Sequence, residues 1–530
     1  MNILGLHKDP WHNTGAAIIK FDNNKVQFAN LSEERCDRVK DSRNFPAVST
    51  QACMKELGIK SLDEIDLVVL DYIIDGDHWS TDYHKKPCSK DVFLSDIPDE
   101  KIKLVNHHEC HAHTSFYSSG FQEAAILIVD GRGSDGETQS LYIGNVDTGI
   151  QLIEKTDKIG IGLLYAAVTQ EIGFENLQEG KVMGLAPYGS NCKDSFFDFM
   201  PNYCGIETSY EDICIKDSYS LKFKHKDINT REDMACASYE VQSECERALL
   251  HLAAYAKEKT GCDYLCISGG VGLNSVANYK ILQKNIFKDV FINPAASDTG
   301  IPLGAALYGY HSILKQKVSY NKISPFLGPS YSEDRIKSAI EKYSGFQHIH
   351  VNAFNQAARL ISENKILGLW QGRSEMGPRA LGNRSIVMSP LVASNKDVLN
   401  SRVKFREDFR PFAPSILDEF KEEYFIIDRE SPYMLFVPKV RKSKIDVIPA
   451  VTHVDGTGRL QTVTYKFNPK FYKLIHSFYD ETGVPVLLNT SFNIAGEPVV
   501  ESPEDAIECF LGTNIDALLL EDHLLIKQEK

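Results

Sequence analysis

Short apolar runs bounded by turn-forming residues alternate along this chain with longer segments whose apolar positions recur at helical spacing. This alternation predicts an α/β protein, because buried strands give the short runs and helices give the longer periodicity. The predicted strands are Asn2–Leu6, Thr14–Phe21, Lys25–Leu31, Ile65–Ile73, Ala124–Val129, Gln139–Gly144, Tyr264–Ser268, Asp289–Asn293, Ile366–Gln371 and Val484–Leu488. The predicted helices are Val48–Leu57, Tyr239–Lys259 and Gly304–Tyr308.

A turn-rich break, SPFLGP, occupies Ser324–Pro329. A chain of 530 residues is too long for one hydrophobic core. We therefore predict two domains, residues 1–325 and residues 330–530.

The composition limits the kinds of molecule that the protein is expected to bind. The net charge of −14 and the sequence pI of about 5.6 argue against a broad nucleic-acid surface. The twelve cysteines are scattered without a CxxC pair, which indicates reduced thiols rather than a disulfide framework. No basic leader and no run of about 18 apolar residues occurs. We expect a cytoplasmic protein with neither a nucleic-acid nor a membrane partner, as a monomer or a homodimer.

Four histidines fall within the seven residues of HHECHAH. If this segment is helical, His107 and His111 lie one turn apart on one face. Asp130 follows the strand Ala124–Val129, and Asp298 lies in a turn where another strand passes into a helix. Two imidazoles and two carboxylates form a ligand set for a divalent metal. The alternative is a polar helix with solvated or core histidines.

Glycine-rich turns follow two of the predicted strands. One begins at Asp130 and Gly131, and the other is Gly269–Asn274, which leads into a helix. Such turns present backbone N–H groups to phosphate oxygens. The second turn lacks the full dinucleotide-binding pattern, so it does not predict a Rossmann site.

A basic island interrupts the acidic chain between Gln371 and Pro411, with eight Lys/Arg against four Asp/Glu. Arginine forks match phosphate and carboxylate oxygens, although surface salt bridges would give the same composition. A later turn carries Arg459. The strand Val484–Leu488 is followed by amide and hydroxyl groups that suit phosphate or carbamoyl recognition, or that cap a turn.

Taken in order, these motifs resemble the NodU/CmcH-type O-carbamoyltransferases. The matching stretches are the loop around His12, HHECHAH, IVDGRG, EGKVMGLAPYG, SGGVGLN, SDTGIPLGAA, GPRALGNRSI, FRPFAPS and LNTSFN. The resemblance implies a duplicated N-terminal domain of the actin/Hsp70 (ribonuclease H-like) superfamily, similar to the threonylcarbamoyladenosine transferase. It implies a C-terminal α/β domain similar to threonylcarbamoyl-AMP synthase.

The resemblance also implies site residues. The metal ligands would be His107, His111, Asp130 and Asp298. Iron(II) is the expected metal, although this ligand set also admits zinc or manganese. His12 corresponds to a histidine near the acceptor hydroxyl, and the usual His-Asp pair of the family is His12-Asn13 here. Apart from the resemblance, Lys40 in the polar segment SEERCDRVKDSRNFP is a candidate catalytic residue on the substrate side, and the alternative is that it belongs to a solvated face.

The implied reaction makes carbamoyl-AMP from ATP, with Mg²⁺, and carbamoyl phosphate in the C-terminal domain. The contacts would be Arg379, which is also a catalytic candidate, Lys404, Arg410, Arg459, Asn489 and Ser491. The N-terminal domain would hold the adenylate at Gly131, Gly269, Gly270 and Asn274. It would then carbamoylate a hydroxyl of a small molecule, a sugar or secondary metabolite. The alternatives are a small-molecule kinase and a nucleotide-binding regulatory protein of the same superfamily.

Overall fold

The computed structural model describes residues 1–8, 13–72, 93–94, 97–210, 214–215, 221–222, 225–318 and 320–528. The predicted site residue His12 lies outside these ranges. The described chain forms two compact units. One unit contains Met1–Asp37 and Asp41–Pro325, and the other contains Arg38–Lys40 and Phe326–Lys530.

Two sheets of the same topology form the centre of the N-terminal unit. Within the described residues, each sheet has five strands in which the first strand pairs antiparallel with the second and parallel with the fourth. The first sheet has the order β3-β2-β1-β4-β5, built from β1 (Asn2–His7), β2 (Gly15–Asp22), β3 (Lys25–Ser32), β4 (Leu67–Tyr72) and β5 (Ile102–Asn106). The second has the order β14-β13-β6-β7-β8, built from β6 (Glu123–Val129), β7 (Gln139–Asn145), β8 (Gly149–Thr156), β13 (Tyr264–Ser268) and β14 (Asp289–Ile292). This repeat confirms the predicted duplicated, ribonuclease H-like architecture.

Helices cover the faces of these sheets. They are α1 (Glu33–Asp37), α2 (Ala47–Glu56), α3 (His107–Ser119), α4 (Ile161–Glu171), α5 (Glu179–Leu185), α6 (Arg231–Thr260), α7 (Ser275–Gln283) and α8 (Ile301–Tyr308). The longest, α6, begins at a capping box between Thr230 and Asp233 and ends at Gly261 in the left-handed conformation. Two short ribbons lie before α6, β9 (Pro201–Cys204) with β10 (Glu207–Tyr210) and β11 (Cys214–Ile215) with β12 (Leu221–Lys222).

A mixed sheet forms the centre of the C-terminal unit. In the described chain it has eight strands in the order β15-β22-β21-β16-β17-β20-β18-β19. The strands are β15 (Phe346–Ile349), β16 (Leu367–Trp370), β17 (Arg384–Met388), β18 (Ala413–Leu417), β19 (Gln461–Val463), β20 (Val486–Ser491), β21 (Ala517–Leu520) and β22 (His523–Lys527). The helices are α9 (Glu333–Glu341), α10 (Ala353–Ser362), α11 (Asn395–Leu399), α12 (Lys421–Tyr424), α13 (Pro469–Thr482) and α14 (Pro503–Gly512). This unit is α/β, as predicted.

Two expectations need correction. The strand predicted at Val484–Leu488 starts and ends later, because β20 pairs with β17 on one side and β18 on the other as far as Ser491 and Asn489. The expectation of reduced thiols is wrong at one pair, since a disulfide joins Cys192 to Cys236. Gly189 approaches the backbone of α6 so closely that a Cβ there would lie 2.1 Å from the Ala235 carbonyl oxygen. That approach brings the two cysteines together without any regular spacing in the sequence.

None of the helices in the described ranges combines the length and the apolar character that a crossing of a lipid bilayer requires.

Candidate metal centre and anion-binding site

The two histidines and two aspartates predicted as metal ligands lie together in the N-terminal unit. The Nε2 atom of His111 lies 2.9 Å from Asp130 Oδ2 and 3.6 Å from Asp298 Oδ1. The Nε2 atom of His107 lies 3.6 Å and 3.5 Å from the same two oxygens. These four atoms all lie within 4.8 Å of one another, so one ion can contact all of them.

Backbone amides orient the Asp130 carboxylate. Gly131 N and Gly270 N donate to Asp130 Oδ1 at 2.8 and 3.0 Å, which leaves Oδ2 directed toward the histidines. Gly269 has a φ of +90°, and a Cβ there would lie 2.3 Å from the Val129 carbonyl oxygen. Only glycine allows this approach. The predicted glycine turns therefore lie at the ligand set, and two of their amides hold Asp130.

Helix α8 brings Asp298 to α3. A Cβ at Gly304 would lie 2.0 Å from the Cys110 carbonyl oxygen, so the two helices pack backbone to backbone. Thr114 Oγ1 donates to the Gly300 carbonyl at 2.7 Å and fixes the turn that contains Asp298. Asn274, the fourth predicted adenylate contact, caps α7 and donates its amide to Gln242 at 2.9 Å.

Each ligand histidine has its Nδ1 atom hydrogen-bonded away from the ligand set. His107 Nδ1 lies 2.9 Å from Asp71 Oδ2, and His111 Nδ1 lies 3.2 Å from Ser268 Oγ. The proton of each neutral imidazole then belongs on Nδ1, and the Nε2 lone pair faces the carboxylates. His111 Nε2 and Asp130 Oδ2 are buried without a hydrogen-bond partner among the described residues. Lone pairs at this separation repel unless a cation lies between them, so the donor set fits a divalent metal.

The buried carboxylates around the ligand set also favour a positive charge at this site. Burial lowers the pKa of His107, but the carboxylates of Asp130, Asp298 and Asp71 outweigh it and raise that pKa well above 6.5. Burial raises the pKa of Asp130, but the adjacent imidazoles of His107 and His111 bring it below its ordinary value. A proton or a metal ion supplies the charge that these carboxylates require.

Sequence reasoning missed Asp71 and His7. Asp71 accepts from His107 and also from His7, whose Nδ1 lies 2.9 and 3.0 Å from the two Asp71 oxygens. Both residues lie at or next to the carboxyl end of a buried strand, β1 or β4. This position at the end of a buried strand is the sequence feature that could have identified both residues as site candidates.

The C-terminal unit contains a cluster of cationic side chains. Burial and the nearby Arg410 lower the pKa of Arg379 from 12.5 to about 10. Burial together with Arg379, Arg406 and Arg410 lowers the pKa of Arg459 well below 12.5. The Nε atoms of Arg379 and Arg459 have no hydrogen-bond partner within the described ranges. These predicted residues thus form a positive site that suits a polyanion.

Arg406 belongs to this cluster although sequence reasoning did not select it. Burial and the charges of Arg410 and Arg379 lower the pKa of Arg406 to about 9. Its guanidinium stacks 4.2 Å from the Phe412 ring. The sequence could have identified Arg406 through its position in KFREDFRPF, because it lies two residues from Lys404 and four from Arg410.

Lys404 is buried without a carboxylate among its contacts in the described chain. Its Nζ lies 2.9 Å from the Ser491 carbonyl oxygen, 3.4 Å from Ser491 Oγ, 2.8 Å from the Asn493 carbonyl oxygen and 2.7 Å from Asn493 Oδ1. Burial, with Arg406 and Arg410 nearby, lowers the pKa of Lys404 well below 10.5. The structure therefore joins the predicted residues Lys404 and Ser491, and adds Asn493.

Other predicted residues have different surroundings. Asn489 lies inside β20, where its amide donates to Ser415 Oγ and Gln461 Oε1, both at 3.1 Å. Lys40 is exposed and belongs to the C-terminal unit. Arg384, in the same motif as Arg379, is fully buried against Trp370 and has a structural role.

Comparison with known proteins identifies the family. The profile for the carbamoyltransferase N-terminus matches residues 72–307, and the profile for the carbamoyltransferase C-terminus matches residues 358–527. Nodulation protein NolNO of Sinorhizobium fredii is 35% identical over 97% of this chain and 79% of its own length. This chain belongs to the carbamoyltransferase family. Nodulation protein NolO of Bradyrhizobium diazoefficiens is 36% identical to this carbamoyltransferase, over 80% of the chain and 79% of NolO.

Among solved structures, the activator of the 2-hydroxyisocaproyl-CoA dehydratase from Clostridium difficile, with ADPNP bound, matches 59% of this carbamoyltransferase and 96% of that chain. The TM-score is 0.31 and the identity is 12%.

Proposed function

We propose that this carbamoyltransferase makes carbamoyl-AMP from carbamoyl phosphate and ATP and transfers the carbamoyl group to a hydroxyl of a small molecule. The observation that carries the proposal is the cluster Lys404, Arg406, Arg410, Arg379 and Arg459. Burial and neighbouring arginines lower the pKa values of Lys404, Arg406, Arg379 and Arg459. Arg410 pairs with Glu407 at 3.6 Å. Such a concentration of charge fits phosphates that bring several negative charges at once.

The first step forms the mixed anhydride. Carbamoyl phosphate and water give carbamate and phosphate, and a carbamate oxygen then attacks the α-phosphorus of ATP while pyrophosphate leaves. Arg379, Arg410 and Arg459 would neutralise charge on the phosphate oxygens as it moves toward the leaving group. Lys404 would hold its ammonium in place through four oxygens of Ser491 and Asn493. Preorganised cations of this kind usually make the largest contribution to such a step.

The second step would use the N-terminal unit. The acceptor oxygen attacks the carbamoyl carbon, AMP leaves, and His12 takes the hydroxyl proton. His107, His111, Asp130 and Asp298 would hold a divalent metal, with iron(II) as our proposal. A metal bound there would supply a Lewis acid for the carbamoyl carbonyl. The acceptor is proposed to be a sugar or secondary metabolite.

The deciding experiment is ATP–pyrophosphate exchange by the purified full-length protein, with and without carbamoyl phosphate. We expect exchange that requires carbamoyl phosphate and falls by about 100-fold or more in Arg379→Ala. The matched control is Arg402→Ala, because Arg402 lies in the same basic segment but pairs with Asp516 at 2.8 Å. This variant should exchange like the unmodified protein.

Other results would favour the alternative functions. ATP hydrolysis to ADP that is indifferent to carbamoyl phosphate would indicate a small-molecule kinase or a regulatory nucleotide-binding protein. Exchange that survives in Arg379→Ala would show that the cationic cluster does not bind the reacting phosphates. Exchange that requires carbamoyl phosphate and is lost in Arg379→Ala would support the proposal. The next step would then be to screen small molecules as acceptors of the carbamoyl group.

A further inference from the structure

The ligand His107 hydrogen-bonds to an aspartate that also binds a second histidine. Asp71 Oδ2 lies 2.9 Å from His107 Nδ1, and His7 Nδ1 lies 2.9 and 3.0 Å from Asp71 Oδ1 and Oδ2. All three side chains are buried, and Asp71 is only 5% exposed. We infer that Asp71 and His7 are positioning residues of the metal centre, acting through His107. This inference rests on the proposed metal.

The order of strands in the first sheet creates this contact. Strands β1 and β4 are parallel neighbours, and Leu6 of β1 pairs with Leu70 of β4. The next residue along each strand is His7 or Asp71, so the two lie side by side at the same sheet edge. Strand β5 lies on the other side of β4 and leads directly into α3, whose first residue is His107. Asp71 therefore lies between the two histidines.

Asp71 fixes both the tautomer and the orientation of His107. A buried carboxylate accepts hydrogen bonds and donates none, so the hydrogen of a neutral His107 ring is held on Nδ1. The Nε2 lone pair then faces Asp130 and Asp298, at 3.6 and 3.5 Å. A carboxylate acceptor also increases the electron density of the imidazole and makes it a stronger metal donor.

His7 holds Asp71 in this position. A carboxylate with a single hydrogen bond can rotate about its Cβ–Cγ bond, whereas His7 Nδ1 contacts both oxygens. The contact fixes the carboxylate plane, and its N–H also compensates for burial of the charge. Removal of the His7 N–H should therefore weaken the metal site although His7 is not a member of the ligand set.

The other ligand histidine has weaker support. His111 Nδ1 lies 3.2 Å from Ser268 Oγ, and that hydroxyl donates to the Ala296 carbonyl at 3.1 Å. A neutral hydroxyl at this distance is a poorer acceptor than a carboxylate at 2.9 Å. The two histidines should therefore differ, with metal affinity depending much more on Asp71 than on Ser268.

The test is a metal titration of the full-length protein that does not depend on catalysis. Co²⁺ affinity is measured by competition with a chromophoric chelator, and the cobalt absorption bands report the ligand field. We expect one tightly held ion per chain, and a 10- to 100-fold weaker affinity with shifted bands in Asp71→Asn. His7→Leu should weaken affinity by several-fold, and His7→Asn, which keeps a donor near the Nδ1 position, should restore most of it. Ser268→Ala should change affinity by less than about threefold.

The matched control is His113→Gln. His113 is a buried histidine of the same helix, bonded to the Glu109 carbonyl at 2.8 Å and to Ser312 Oγ at 2.9 Å, and it contacts no member of the ligand set in the described chain. This variant should keep the affinity and the cobalt spectrum. If Asp71→Asn does not fold, the His7 pair of variants carries the comparison.

The outcomes separate this inference from the proposed function. An unmodified protein that binds no metal would overturn both the metal centre and the inference. Normal metal binding that is unchanged in Asp71→Asn and His7→Leu would overturn the inference alone. A second bound ion that is lost in His7→Leu would also overturn it, because His7, Asp71 and His107 would then be ligands of their own site.

Discussion

Two arginines of one short motif should have opposite effects on stability when replaced by methionine. Arg379 and Arg384 are five residues apart in GPRALGNRSI. Arg379 belongs to a cluster of like charges, whereas Arg384 is surrounded by acceptors. We predict that Arg379→Met stabilises the ligand-free protein and that Arg384→Met destabilises it.

The pKa of Arg379 gives the magnitude of the first effect. Its fall from 12.5 to about 10, caused by burial and by Arg410, corresponds to about 3 kcal/mol against the charged form. The folded and unfolded chains are both protonated at pH 7, so this cost is complete there and declines only as the pH approaches about 10. Because Arg379 is partly exposed and water screens its charge, we expect Arg379→Met to stabilise by about 1–3 kcal/mol.

Arg384 has the opposite environment. Its guanidinium donates to the Gln371 carbonyl at 2.8 Å and to the Asn383 carbonyl at 3.0 Å, and it stacks 4.2 Å from the Trp370 ring. It also pairs with the buried carboxylate of Glu501 at 3.4 Å. Arg384→Met leaves that carboxylate and the carbonyls without their partner, which should cost about 3–5 kcal/mol.

The assay is differential scanning calorimetry of the full-length protein at pH 7 in a phosphate-free buffer. The relevant transition is the one that added pyrophosphate moves upward. At about 2–4 °C per kcal/mol for a unit of this size, Arg379→Met should raise its midpoint by about 2–12 °C. The same variant should lose ATP–pyrophosphate exchange and most of the shift on adding pyrophosphate. A midpoint lowered as far in Arg379→Met as in Arg384→Met would refute the reasoning, because Arg379 would then be a structural arginine.

Three further predictions concern single residues. Asn493→Ala removes an acceptor 2.7 Å from Lys404 Nζ, and should raise the KM for ATP in the exchange assay by about tenfold while the circular dichroism spectrum stays unchanged. Glu375 Oε1 accepts the Leu381 amide at 2.6 Å and so orders the loop that contains Arg379. Glu375→Ala removes this acceptor and should reduce exchange kcat/KM by about 10- to 100-fold, and unaltered exchange would exclude this role. Burial lowers the pKa of His311 from 6.5 to about 4, so the folded protein keeps this ring neutral while the unfolded chain takes up a proton. Stability should therefore fall as the pH drops from about 6.5 toward about 4, by about 2 kcal/mol at pH 5, and calorimetry of His311→Gln should show a shallower dependence.

The ligand set was predictable because each member carries a local signal. His107 and His111 are separated by one helical turn, and Asp130 directly follows an uninterrupted apolar run. For Asp71 and His7 the only local signal is a position at or next to the end of an apolar run, and nothing in the sequence pairs the two residues. Their contact exists because β1 and β4 are neighbours, and a pairing between residues 64 positions apart is a property of the sheet order.

The basic segment illustrates the same limit. The motif GPRALGNRSI contains both Arg379 and Arg384, yet their roles differ because of distant residues. Glu501, which compensates Arg384, is 117 positions away along the chain. The extension of β20 to Ser491 likewise depends on pairing with β17 and β18, which the local sequence of β20 does not specify.

The two sites leave opposite charges uncompensated, and this difference determines how each responds to its ligand. Asp130 and Asp298 face imidazole lone pairs, so the set gains most from a cation. Arg379 and Arg459 face other arginines, so their cluster gains most from an anion. In both cases the ligand-free protein carries an electrostatic cost that binding removes, and by linkage the gain in stability grows with the ratio of the free ligand concentration to Kd. An uncharged molecule that accepts the carbamoyl group removes neither electrostatic cost. Such a molecule must therefore be recognised by its shape and its hydrogen bonds.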